Sequence, residues 1–225
     1  MGRAFRPPDL RIRHDEPMTT SIFVSRPTSG DVVDLILEDH RLFEDLLREC
    51  RRTDRDRSAS RQALAELLVA HAEAEETHVY PKLRRRDAIT DHEAEHGEEE
   101  HADITEALLE FLEAKGTDTQ KYDDALEKLS SVVAHHSVEE ELTILNPART
   151  EVSADVRADL GRQWASARNR LLDAGCASVA QVRALLERAV VEGTLAPADA
   201  REEAEGVKDE AKDRAEEILE EAKEG

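Results

Sequence analysis

Two stretches of the chain carry the same order of apolar, histidine and glutamate residues 65 positions apart, and few folds can accommodate that. Leu64, Leu67, Leu68, His71, Glu75 and Val79 align in turn with Leu129, Val132, Val133, His136, Glu140 and Ile144, and Glu76 aligns with Glu141. Spacings of three and four are the period of a helix with one buried face. Each stretch is therefore expected to be a helix that carries a histidine and a glutamate one turn apart among apolar residues. A titratable side chain between leucines on an inward face is costly to bury unless something binds it. The two helices should share an interior in which those side chains have a common task.

Two further segments show the same periodicity with an offset of 61: Asp39-His40 against Glu100-His101, Phe43 against Ile104, Leu47 against Leu108. The first, about Asp31 to Arg52, places Val33, Ile36, Leu37, Phe43 and Leu47 on one stripe. The other, about Asp91 to Lys115, opens on the capping-box pattern Thr90-x-x-Glu93 and stops before Gly116. Between and after them run the two copies, about Ser58 to Arg85 and Gln120 to Asn146, the second ended by Pro147. Short connections make consecutive helices antiparallel, so the expected fold is all-α, an up-down-up-down four-helix bundle with additional C-terminal helices. Composition agrees, since 37% charged and only 3% aromatic residues suit charged, leucine- and alanine-rich helices and disfavour a β sandwich.

The additional helices are expected from Ser153 to Ala174, around the single tryptophan Trp164 and ended by Gly175, and from Ser178 to Glu192, bounded by Gly193. Pro197 to Lys223 reads as an acidic helix with a narrow stripe of Ala204, Val207, Ala211, Ala215, Ile218 and Ala222, a solvated tail or a surface for self-association or a protein partner. The division expected is a disordered lead-in over 1–29, the bundle over 30–150, the added helices over 151–195 and the tail over 196–225. The lead-in carries Pro7, Pro8, Pro17 and Pro27, and Met18 offers a second start within it.

Fifty-two acidic against 31 basic residues give a net charge of −21, which repels nucleic acid and anionic membrane alike. With no apolar run of about 20 residues and no apolar leader, the expected location is the cytoplasm. Cys50 and Cys176 are expected to be free thiols, being 126 positions apart with no neighbouring cysteine.

Eight of the nine histidines fall between His40 and His136. At about 1.5 Å of rise per residue, His40, His71, His101 and His136 come to within about a turn of one height in an antiparallel bundle. Together with Glu75 and Glu140 they form a set too large for one ion, which fits two ions bridged by the two glutamates. Imidazole and carboxylate without thiolate suit iron, with zinc or manganese also admissible, and the small number of groups leaves coordination positions open. His136 is preferred to His135, because Leu129 and Val132 lie behind it where His135 has Lys128 and Ser131. Asp39, Glu76, Glu100 and Glu141 adjoin these residues and are candidates to accept the outer imidazole proton. His78, three beyond Glu75, is a candidate supporting residue or a plain helix-end histidine.

The combination of Glu38-Asp39-His40, the run His71 to Glu76 leading to Tyr80-Pro81, Glu100-His101, and the run His136 to Glu141 leading to Asn146-Pro147 resembles the hemerythrin-like HHE cation-binding domain over about residues 30 to 150. The resemblance implies a non-haem di-iron centre that reacts with dioxygen or related small molecules. Carried over, it makes His40, His71, Glu75, His101, His136 and Glu140 the ligands, with Glu75 and Glu140 bridging. Oxygen-carrying members have a further histidine one turn before the position of His101, where this chain has Gly97. That speaks against reversible oxygen carriage and for room for a solvent or peroxide ligand; Glu98 and His96 lie near but lack the right spacing. The function expected is binding of dioxygen, hydrogen peroxide or nitric oxide in oxidative or nitrosative stress, with catalase- or peroxidase-like turnover, or sensing through the C-terminal helices, as variants. The competing reading is a structural or partner-binding helical module that uses its acidic tail and holds no functional metal.

Overall fold

The computed structural model describes Ile22 and residues 24–197. The acidic stripe from Ala204 to Ala222 and the alternative start at Met18 lie outside the described residues. The elements in order are α1 (Val32–Cys50), α2 (Ser58–His78), α3 (Tyr80–Arg84), α4 (Asp91–Glu113), α5 (Gln120–Glu140), a π-helical turn (Glu141–Leu145), α6 (Asn146–Glu151), α7 (Ala154–Ala174) and α8 (Val179–Glu192). No β-strand occurs among the described residues, and no helix among them is long and apolar enough to cross a membrane. Side chains at the starts explain the boundaries: Asp31 caps α1, Thr90 and Glu93 form the capping box of α4, and Ser178 and Gln181 form that of α8. Gly175 and Gly193 end α7 and α8 in the left-handed conformation.

The two copied helices depart from the single unbroken segments expected of them, and proline accounts for both departures. Pro81 does not lie inside a helix reaching Arg85. The chain breaks at Val79 (φ −103°, ψ −66°) and restarts as α3 with proline in its first turn, where the missing N–H costs nothing. Pro147 likewise does not end the fourth segment but sits in the first turn of α6, after the π-helical turn. The 65-residue offset of the histidines and glutamates becomes 66 at the two prolines. A π turn accommodates one additional residue, and it takes up that residue directly after Glu140.

Helices α1, α2, α4 and α5 form the bundle, with two apolar cores along its length. Leu42, Phe43, Leu46, Leu64, Leu68, Leu108, Phe111, Tyr122 and Leu129 fill one; Val32, Ile36, Ala74, Tyr80, Leu83, Ala94 and Ile144 belong to the other. On every bundle helix the candidate histidine falls in sequence between residues of the two cores, so the polar groups form a layer between two apolar plugs. Helix α7 is continuous with the second core through Leu160, Trp164, Ala165 and Ala167 and covers α1 and α2. Helix α8 lies on α4, with Val182 in the first core and Ala189 against Ala102.

Part of the expected lead-in is structured. Val24 is buried, Ser25 O accepts from Arg168 at 3.0 Å and Pro27 O accepts from Asn169 at 2.8 Å. Prolines and the lack of a period leave this strap no helix of its own, so its backbone groups are satisfied from α7. At Gly161 the strap comes so close that a Cβ would stand 2.2 Å from Gly30 O.

Candidate metal centre

Consecutive helical residues point about 100° apart. When His40 faces the bundle axis, its neighbour Asp39 faces the next helix. The pairing that results closes a ring around the bundle. Each imidazole Nδ1 donates to a carboxylate from an adjacent helix: His71 of α2 to Asp39 of α1 at 3.3 Å, His101 of α4 to Glu76 of α2 at 2.9 Å, His136 of α5 to Glu100 of α4 at 3.1 Å, and His40 of α1 to Glu141 after α5 at 3.1 Å. A carboxylate only accepts, so the hydrogen sits on Nδ1 in all four rings and Nε2 faces inward. All four sequence-adjacent acids thus hold an imidazole, in each case one from another helix.

Inside the ring, Glu75 presents Oε1 to His71 Nε2 at 3.1 Å and Oε2 to His101 Nε2 at 3.4 Å, while Glu140 Oε2 lies 3.1 Å from His40 Nε2 and 3.9 Å from His136 Nε2. None of these approaches is aligned as a hydrogen bond. The four Nε2 atoms, both Glu75 oxygens and Glu140 Oε2 are buried without a hydrogen-bond partner among the described residues. Two groups of these side chains are close enough to hold a metal ion: His40, His71, His136 and Glu140, and Glu75, His101 and His136. These seven inward atoms, drawn from all four bundle helices, form a donor set that fits cations.

Electrostatics within the layer follow from who faces whom. Burial opposes protonation of His40 and His101, but the carboxylates of Glu140 and Glu141 for the first, and of Glu75 and Glu76 for the second, outweigh it and hold both rings up at about 10. At His71 burial prevails over the pull of Asp39 and the ring is pushed down to about 4; His136 is lowered by burial and by the positive charge of His101. Burial and the neighbouring Glu140 charge raise Glu75, whereas Glu140, despite its burial, is held low by His40 and His136. In the metal-free protein, protons on His40 and His101 stand where a cation would neutralise the two glutamates.

His135 is 68% exposed and His136 buried, which places His136 in the layer. His78 is half-buried at the end of α2, beside Lys82 and Arg170, and takes no part in the ring. His92 and His96 stack on each other at the start of α4, and Glu98 is half-buried, lining a cavity of about 50 Å³ with Glu76, His101 and Arg188. Cys50 and Cys176 are buried free thiols, and burial pushes them up to about 12 and about 11, so neither offers a thiolate.

Three residues of the site were not singled out from the sequence for it. Tyr80, brought inward by the break at Val79, donates its hydroxyl to Glu140 Oε1 at 2.9 Å and stacks on His101 with ring centroids 5.8 Å apart. It also occupies the space beside Gly97, where a Cβ would meet its ring at 3.1 Å and its hydroxyl at 3.2 Å. The room expected there for a solvent or peroxide ligand is filled by a phenol. The repeat did hold a signal, because Tyr80-Pro81 answers Asn146-Pro147 at the altered offset of 66. Trp164 meets His71 edge to face at 5.8 Å, and Arg168 pairs with Asp39. Both come from α7, whose rotation about its own axis no sequence period in the bundle reports.

A family model for the hemerythrin HHE cation binding domain matches residues 31–148. Neither a curated protein nor a solved structure matches the chain. With the match covering more than half of the chain, all four bundle helices and every histidine of the ring, the chain belongs to the hemerythrin HHE cation-binding family.

Proposed function

We propose that the protein is a cytoplasmic non-haem di-iron protein that binds dioxygen, hydrogen peroxide or nitric oxide, in the handling or sensing of oxidative or nitrosative stress. The observation that carries this reading is the set of buried, inward-facing Nε2 and carboxylate oxygen atoms with no hydrogen-bond partner among the described residues. An unsatisfied buried polar group costs about 1 to 3 kcal/mol, and more when charged, so seven together favour uptake of cations. Bound there, a pair of iron ions supplies redox electrons and coordination positions that the protein leaves open.

His40, His71, His101, His136, Glu75 and Glu140 are the residues proposed to hold the ions. Glu75, with one oxygen towards each of two imidazoles, is suited to bridge. Glu140 shares a single oxygen between His40 and His136, because Tyr80 occupies the other. The outer carboxylates keep each Nε2 lone pair aimed inward and raise the basicity of the ring. Tyr80 fixes Glu140 and keeps water from the Gly97 side.

Purification without chelators or a histidine tag, followed by elemental analysis, tests the reading. About two irons per chain are expected, together with quenching of the single tryptophan, which lies 5.8 Å from His71. His71→Ala should lower the stoichiometry and relieve the quenching. Folded protein that takes up no iron even after anaerobic ferrous loading would overturn the proposal. Consumption of peroxide, and spectral change with nitric oxide or dioxygen, then separate the three ligands.

A further inference from the structure

The four histidines are not held alike. Glu141 and Glu76, which hold His40 and His101, are 45% and 27% exposed, and Glu100, which holds His136, is 9% exposed. Asp39, which holds His71, is 3% exposed and is gripped through both oxygens by Arg168, itself fully buried. Arg168 Nη2 donates to Asp39 Oδ1 at 2.7 Å and Nε to Oδ2 at 2.6 Å; Nη1 is taken up by Ser25 O at 3.0 Å and Asn169 Oδ1 at 3.2 Å. The oxygen that accepts Arg168 Nε is the one that faces His71 Nδ1, and this His71 contact, at 3.3 Å, is the longest of the four. Trp164, one turn before Arg168, meets the His71 ring edge to face, and Phe43 of α1 packs on the same ring with centroids 4.9 Å apart. Helix α7 lies beyond the residues that match the family, 31–148, so this grip belongs to the part of the chain outside the shared domain.

A carboxylate on the outer N–H makes an imidazole a stronger donor. A bidentate guanidinium withdraws charge from that carboxylate and fixes its plane. We propose that Arg168 is a positioning residue of the metal centre: through Asp39 it fixes the angle of His71, an orientation that counts for more than the charge it withdraws, so that the ion nearer α7 is held through α7 and the two metal positions are unequal. The inference rests on the reading that the layer holds metal, and it adds that a helix outside the family domain sets the difference between the two positions.

Wild type, Arg168→Lys and Arg168→Gln are purified metal-free, loaded anaerobically with ferrous iron and challenged with a ferrous chelator, while Trp164 fluorescence, iron per chain and the reduction midpoint are followed. In the wild type two release phases are expected, with fluorescence recovering in one of them. In Arg168→Gln that phase should accelerate 10- to 100-fold, the usual cost of losing a group that orients a ligand, with the other phase unchanged. The midpoint should fall by about tenfold in the one-electron equilibrium, 59 mV, since a buried cation no longer disfavours the oxidised state. Arg168→Lys keeps the charge but cannot grip both oxygens; it should restore most of the midpoint and little of the release rate.

Single-phase release from the wild type would overturn the proposal without need of any variant. So would folded variants with wild-type release and midpoint and only a lower melting temperature, or equal acceleration of both phases. If Arg168→Gln does not fold, wild-type release from Arg168→Lys is the contrary result. A wild type that takes up no iron would instead remove the metal reading itself, before the variants are compared.

Discussion

At the scale of single residues, Tyr80 shows how much one side chain can change the meaning of a motif. Its hydroxyl is the proton donor to a buried glutamate oxygen, and a hydrogen bond to a charged group contributes about 1.5 to 3 kcal/mol. Tyr80→Phe should therefore destabilise the metal-free protein by about that amount in urea unfolding, with the ring still stacked on His101; an unchanged midpoint would mean that Glu140 has another donor. The six inward residues were legible from spacing, because a histidine and a glutamate four apart on an apolar stripe must share a face. The outer carboxylates were legible only as neighbours in sequence. Which histidine each one holds depends on the rotation of two helices against each other. Asp39 illustrates this: beside His40 in the chain, it serves His71 and Arg168.

At the scale of elements, the helices α1, α4, α7 and α8 follow their caps and apolar periods, and the two helices that end in proline do not. A period of three and four runs through Val79 and Ile144 without interruption, so periodicity alone gave no sign that the chain breaks at one and widens into a π turn around the other. The missing N–H of proline and its clash with the carbonyl four residues back decide both. Docking of α7 carries its own test. Gly161→Ala would be expected from helix propensity to stabilise by about 1 kcal/mol, yet the new methyl would stand 2.2 Å from a backbone oxygen that cannot step aside. Steric cost should win, and thermal melting should show a net loss of about 1 to 3 kcal/mol. A higher melting temperature would show that the strap over α7 yields freely.

At the scale of the whole molecule, the polar layer ties stability to pH. His40 and His101 are held protonated to about 10 against an ordinary 6.5, so the stability they contribute is complete below pH 6.5 and lost as pH rises towards 10. His71, held down to about 4, acts in the opposite sense: its contribution is complete above pH 6.5 and is lost as pH falls towards 4, and His136 acts with it. Glu75, raised by burial, offsets part of that acid-side loss. The metal-free protein should melt highest near pH 6.5 and lose stability steadily to pH 10. The loaded protein should have a flatter alkaline limb and release protons on taking up metal. A metal-free melting temperature still rising at pH 9 would contradict the assignment of protons to His40 and His101. The sequence by itself determined that four amphipathic helices would gather four imidazoles and two carboxylates in one layer, because the helical period fixes which residues share a face. Only the tertiary structure decided which carboxylate holds which imidazole, that Tyr80 fills the space at Gly97, and that α7 grips one corner of the site through Arg168. Those choices depend on how helices distant in sequence are rotated and pressed together, and no local period records that.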